Sequence, residues 1–148
     1  MYKEILVPLD GSKRAETILT HVEELAQHFK AEVIFLEVVK PEFVYTSIYS
    51  GVHDIELQQK IIDEQVKGAK SYLSGLEGEF RKKDISTRSL IEIGSVVQTI
   101  IKVAERENTD LIALASHGRT GLSHVFYGSV AARVLHRVDR PLLLVRAE

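Results

Sequence analysis

Short unbroken apolar runs alternate along this chain with longer stretches in which apolar residues recur every three or four positions. Ile5-Leu6-Val7 is the first run, and it stops at Pro8. Continuous rather than alternating apolarity suits a central strand covered on both faces. Pro8-Leu9-Asp10-Gly11-Ser12 is turn chemistry, with Asp10 or Ser12 available to cap the helix that follows. That helix carries Ala15, Ile18, Leu19, Val22, Leu25, Ala26 and Phe29 on one side. Val33 to Val39 reads as a second buried strand ended by Lys40-Pro41, and Glu42 to His53 as an irregular connection.

From about Asp54 a helical pattern runs through Ile62, Val66, Ala69, Leu73, Leu76 and Phe80. Gly68, Gly75 and Gly78 weaken it toward its end, at roughly 1 kcal/mol each relative to Ala. Ile85 to Ile93 mixes polar and apolar residues, as a half-exposed edge strand requires. Gly94-Ser95 then opens a helix with Val97, Ile100, Ile101 and Ala104 on one stripe. Leu111 to Leu114 is a fourth strand, and Ser129 to Val138 a helix with Val130, Ala131, Val134, Leu135 and Val138 inward. Leu142 to Val145, after Pro141, is the fifth strand.

Strands alternating with helices predict an α/β fold: a doubly wound, five-stranded parallel sheet with right-handed crossovers and helices on both faces. In the order 3-2-1-4-5 the first and fourth strands are neighbours where the winding reverses, and ligands lie outside the carboxyl ends of strands at such a point. The loops after Val7 and after Leu114 then face one crevice. The fifth strand is left at an edge although it is wholly apolar, so a homodimer through Leu142 to Val145 is expected to cover it.

The 148 residues, 45% of them hydrophobic, fit one domain, 1–148, with a sizeable core. A formal charge of -2 offers no whole-protein attraction for nucleic acid or anionic lipid, so any basic site is local. The absence of Cys removes disulfides, thiolate nucleophiles and Cys-based metal sites, and suits a reducing compartment. With no secretory signal pattern and no apolar run near the roughly 18 residues of a membrane span, a cytoplasmic location is expected.

The stretch with most chemistry is Ala115-Ser116-His117-Gly118-Arg119-Thr120-Gly121, answered by Gly128-Ser129-Val130 at a helix start. A buried strand entering a Gly-rich basic loop close to a helix N-terminus holds an anion, because the loop and helix-end N–H groups lack backbone partners. Neither G-x-x-x-x-G-K-[ST] nor G-x-G-x-x-G occurs, so the standard nucleotide loops are excluded. Ser129 caps its helix or binds phosphate, and Asp10 caps the first helix or meets a nucleotide or metal; the residues alone leave both pairs open. Adjacent Ser116 and His117 make no nucleophile and base pair, and there is neither a G-x-S-x-G elbow nor an H-E-x-x-H motif.

Ser116 to Gly121, with nine residues between Gly118 and Gly128-Ser129-Val130, resembles the universal stress protein family. Ile5 to Ser12 and Arg140 to Val145 resemble that family's two ends, so the likeness covers essentially the whole chain. Some members bind ATP and some do not, and the binders share G-x-x-G, nine residues, then G-[ST]. Here Ala115 replaces the first Gly, while Gly118, Gly128 and Ser129 match. A methyl at that point is tolerated by ordinary β backbone, and obstructs a phosphate or ribose that must touch the α-carbon. The resemblance implies ATP with magnesium as ligands. Adenine then lies near Pro8, Leu9 and Val38, and Asp10 faces the nucleotide or its magnesium. Residues 115–121 with Ser129, Val130 and Ala131 wrap ribose and phosphates. It implies a regulatory stress-response homodimer with unidentified protein partners. A nucleotide-free dimerisation module, favoured by Ala115, is the alternative. A slow hydrolase or phosphotransferase is a third, for which Asp10 alone is nominated as the base.

Overall fold

A computed structural model of the chain describes residues 1–41, 51–117 and 129–147. The apolar runs become β1 (Glu4–Leu9), β2 (Glu32–Val39), β3 (Thr87–Ile93), β4 (Leu111–His117) and β5 (Leu142–Ala147). They form a parallel five-stranded sheet in the order β3-β2-β1-β4-β5. The periodic segments become α1 (Leu19–Phe29), preceded by a 3-10 turn at Ala15–Ile18, then α2 (Gly51–Arg81), α3 (Val96–Arg106) and α4 (Ser129–Arg137).

Strand alternation sorts the core into two layers. Ile5, Val7, Val33 and Phe35 pack with Val22 of α1 and Leu73, Leu76 and Phe80 of α2. Leu6, Ile34, Leu36, Ile112 and Leu114 pack on the other face with Ile100 and Val103 of α3 and Ala131 and Val134 of α4. Both faces of the central strands are therefore dry, which is why their sequences are unbroken apolar runs. At the β3 edge polar residues find partners instead: the Arg88 Nε donates to Glu32 at 2.5 Å, and the Ser89 hydroxyl to Glu77.

Several boundaries differ from the sequence pattern. Strand β1 does not stop at Pro8 but continues through it to Leu9. The Lys3 carbonyl accepts from Glu32 of β2 and the Glu4 carbonyl from Asp110 beside β4, so alternation turns Pro8 toward β4. The β1–β4 ladder already ends at Leu6 and Ile112, so the missing N–H of Pro8 costs no sheet bond. Helix α2 starts at Gly51, inside the stretch expected to be irregular, and its three glycines do not interrupt it before Arg81. The buried row Ala69, Leu73, Leu76 and Phe80 holds that half against the sheet, and packing outweighs propensity. In α4, Leu135 is 44% exposed rather than inward, because the buried row is Ala131 and Val134. The rest of the expected connection, residues 42–50, lies outside the described residues.

Two polar anchors tie the far end of the sheet together. Arg140, whose side chain is 15% exposed, donates through Nη1 to the carbonyls of Ala104 (2.7 Å) and Thr109 (3.0 Å). It thereby fastens the C-terminal end of α3 to the approach to β5, with its charge at the negative pole of that helix. Asp110 Oδ2 accepts from the backbone N–H groups of Lys3 (2.7 Å) and Glu4 (2.9 Å), which seats the start of β1. The Lys3 N–H, and after it the Glu4 N–H, hold the Asp110 carboxyl below its ordinary value. A depressed folded-state pKa stabilises the fold above the unfolded value, about 3.9, and this stabilisation disappears as pH falls through the lower folded value. Asp110→Asn is therefore expected to lower the thermal midpoint at pH 7, with the gap to the parent protein closing toward pH 3 in parallel scanning-calorimetry series.

Candidate functional site: a crevice at the β1–β4 divergence

Strand β1 pairs with β2 from Glu4 to Leu9, but with β4 only at Ile5–Leu111 and Leu6–Ile112. Beyond Leu6 the two strands part, at the point in the order where the winding reverses. A cavity of about 130 Å³ lies there, near the size that admits one aromatic ring, about 150 Å³ for benzene.

Its lining gathers residues from every part of the chain. Pro8, Leu9 and Asp10 come from the end of β1, Val38 from β2, Ala115 from β4, and Ser129, Val130 and Ala131 from the first turn of α4. All eight were nominated from the sequence. Ala15, Leu36, Val96, Ile100 and Leu114 complete the wall and were not nominated. Ile100 and Leu114 read as core from their periods, and they are core, 0% and 4% exposed; the cavity lies against their outer ends. Val96 carried a usable signal, since it opens α3 four residues before Ile100 and so shares its face at the carboxyl edge of the sheet.

Other nominated residues are not among the described lining residues. Ser116 is 2% exposed and absent from the lining, although Leu114, on the same side of β4, is part of it. His117 ends β4, paired with Ala147. Gly118, Arg119, Thr120, Gly121 and Gly128 lie outside the described residues.

Turn chemistry sets Asp10 at the mouth. Its Oδ1 accepts from the Ser12 N–H at 2.9 Å, and the Ser12 hydroxyl oxygen accepts from the Ala15 N–H at 3.2 Å. Ser12 therefore meets the start of the 3-10 turn, and Asp10 closes the turn before it. Gly11 between them has φ +82°, a left-handed conformation that favours glycine. Behind Asp10, the Glu37 carboxyl is pushed up by burial and then by the charge of Asp10, and its Oε2 has no hydrogen-bond partner among the described residues. Burial, followed by the charges of Glu16, Glu37 and Asp10, likewise pushes up the Tyr72 hydroxyl. Asp10 is the one acidic residue among the described lining residues. The N-terminal end of α4 also lines the crevice, and there the helix dipole and the first-turn N–H groups, which have no partner within a helix, favour an anion. The cavity between is apolar except for Asp10 and Ser129.

The model of the universal stress protein family matches residues 1–146. The chain belongs to the universal stress protein family. It is 31% identical over 155 residues to universal stress protein MJ0577 of Methanocaldococcus jannaschii, covering 99% of this chain and 96% of that protein. The solved structure of MJ0577 superposes with a TM-score of 0.83 at 29% identity, covering 100% of this chain and 98% of that one. The universal stress protein of Archaeoglobus fulgidus, solved in complex with dAMP, matches with a TM-score of 0.68 at 20% identity over 97% of both chains. A further universal stress protein, solved with cAMP, matches with a TM-score of 0.59 at 19% identity over 99% and 98%. These last two likenesses are of fold alone. The family's sheet, order β3-β2-β1-β4-β5, is the one found here.

Among the described residues no group of three or more His, Cys, Asp or Glu side chains could hold a metal ion, and no helix is long and apolar enough to cross a membrane.

Proposed function

We propose that the crevice binds an adenine nucleotide, ATP with magnesium in the fullest form, and that this universal stress protein is a cytoplasmic regulatory module of the stress response. The observation that carries the reading is the apolar slot at the β1–β4 divergence, with an acidic side at Asp10 and a helix N-terminus at Ser129. The slot suits a purine face. The helix end suits a phosphate, and Asp10 suits a ribose hydroxyl or a hydrated magnesium carried by the phosphates. Asp10 would repel a bare polyphosphate, and magnesium lowers that repulsion. The donor set fits a metal shared with phosphate and not a protein-only site. The complexes of family members with dAMP and cAMP support an adenylyl ligand.

The magnitudes are adequate. A micromolar complex requires about 8 kcal/mol. Burial of about 150 Å² of base contributes about 4 kcal/mol, and a partly buried helix end up to about 2. Loop contacts need supply only the remainder. The module acts as a homodimer through the half-buried apolar strand Leu142 to Val145, which leaves one edge of β5 unpaired within the sheet.

Isothermal titration with magnesium ATP, AMP and GTP is the test. Saturable heat with the adenine nucleotides at micromolar concentration, and weaker binding of GTP, is expected. Heatless mixing, together with no adenine compound carried through purification by mass spectrometry, overturns the reading. One observation favours the nucleotide-free alternative: the Ala115 methyl group stands in the lining where the family's ATP-binding motif has Gly.

A further inference from the structure

We infer that ligand binding at the crevice is linked to proton uptake at Glu37, and that the uncharged form of this residue is the one that admits an anion. The inference rests on the nucleotide reading of the crevice and adds its regulation.

Its starting point is a carboxylic acid in a core row. Along β2, Val33 and Phe35 pack into the layer beneath α1 and α2, and alternation gives half-buried Glu37 the same face. Its ladder partners are Leu9 of β1 and Ile91 of β3, both apolar and both in that layer. The Oε2 atom of Glu37 is shut off from water and has no hydrogen-bond partner among the described residues. Tyr72 of α2 packs on the same layer, and its hydroxyl is in the same condition. Among the described residues no ion pair reaches Glu37.

The charged groups around this carboxyl are acidic. Asp10 acts on it from the turn after β1, and Glu16 of the 3-10 turn acts, with Glu37 and Asp10, on the Tyr72 hydroxyl. Lys13 pairs with Glu16 at 3.2 Å but is 96% exposed, so it meets Glu16 at the surface. Strand β3 contributes only apolar Ile91 at this level. Asp10 is exposed and its Oδ1 accepts from the Ser12 N–H, so of the two carboxyls Glu37 bears the greater cost of carrying charge. Burial first, and the charge of Asp10 second, make Glu37 hold its proton to higher pH than an exposed glutamate.

Glu37 is one residue removed from the cavity wall on two sides. Leu9, opposite it in the ladder, and Val38, after it in sequence, both line the cavity. A negative ligand there adds to the field that Glu37 already feels from Asp10, and its proton becomes harder to remove. By reciprocity the same ligand binds more tightly once Glu37 is protonated, so affinity rises as pH falls through the Glu37 midpoint.

Cyclic AMP without metal is the probe, because a phosphodiester keeps one charge where a phosphomonoester titrates, near about pH 6. Calorimetric titrations in paired buffers of different ionisation heat count the protons exchanged. In the parent, fractional uptake is expected, and the dissociation constant should fall about threefold or more between about pH 8 and pH 5, the effect of one charge in a partly polar medium. Glu37→Gln keeps the shape and removes the titration. It should bind at every pH about as tightly as the parent does in acid, with the uptake lost. Histidine protonation is common to both proteins and cancels in the comparison. In the ligand-free protein the Glu37 carboxyl carbon resonance should titrate at lower pH in Asp10→Asn than in the parent, which reads the coupling without any nucleotide. An unmoved titration there overturns the inference. So does binding of cAMP with no uptake and no pH dependence, or with equal uptake in Glu37→Gln, and either result leaves the nucleotide reading standing. Heatless mixing of cAMP at every pH overturns it as well, and the magnesium ATP titration then shows whether the nucleotide reading falls too.

Discussion

Ala115→Leu is expected to weaken magnesium ATP binding by at least 100-fold while leaving the fold intact, and Ala115→Gly to tighten it by up to tenfold. Ala115 sits within β4, paired with Val145, and is not among the residues with positive φ. Its backbone therefore accepts glycine, alanine or leucine without strain, and the series changes only what projects into the crevice. The cavity is about 130 Å³, so three further carbons occupy much of the space a base needs. A 100-fold loss corresponds to about 2.7 kcal/mol, less than the roughly 4 kcal/mol expected from burying the base. Calorimetric titration of the three proteins, with matched thermal midpoints as the control, makes the comparison. Equal affinities would show that any nucleotide sits elsewhere, and a gain only in the glycine form would identify the methyl group as the obstruction.

The largest stability effect is expected at the join between α2 and the sheet. Phe80 is 1% exposed and meets Phe35 edge to face, with ring centroids 5.0 Å apart and planes at 82°. Phe80→Ala removes that ring contact and leaves a cavity between α2 and β2, a loss of about 3–5 kcal/mol. Domains of this size have about 5–15 kcal/mol in total, so the substitution removes a large fraction. The thermal midpoint should fall by about 10 °C, at about 2–4 °C per kcal/mol. Phe80→Leu should lose less than half as much, because it retains most of the volume. A fall of less than about 2 °C for Phe80→Ala would show that α2 is held by its polar contacts, such as Glu77 to Ser89, instead of by this ring pair.

Much of the candidate site was legible because its residues are marked locally. Asp10-Gly11-Ser12 announces a turn by composition, and the turn found there, with Gly11 at φ +82° and Asp10 bonded to Ser12, positions Asp10 as such chemistry does. Val38 ends a strand, and Ser129 to Ala131 begin a helix, so their places at the crevice followed from element order. Ser116 illustrates the opposite case. It lies beside Ala115 in the motif and on the same side of β4 as Leu114, yet both of those line the cavity and Ser116 does not, so strand period alone does not decide which residues reach the lining. Leu135 was placed inward by a loose count of apolar positions, whereas the face of α4 that meets the sheet takes only Ala131 and Val134 to full burial.

The sequence by itself determined the succession of strands and helices, the parallel sheet and the edge character of β3, because side-chain period and polarity report which face of each element is covered; the order 3-2-1-4-5, assumed with the doubly wound fold, is the one observed. Only the tertiary structure decided where Val96, Ile100 and Leu36 would serve as cavity wall, that β1 would run through Pro8, and that α2 would remain one helix across three glycines. The physical reason is the same in each case. A period records burial along one element, while the gap beyond Leu6 and Ile112, and the hold of Phe80 on Phe35, depend on the spacing between elements distant in the chain.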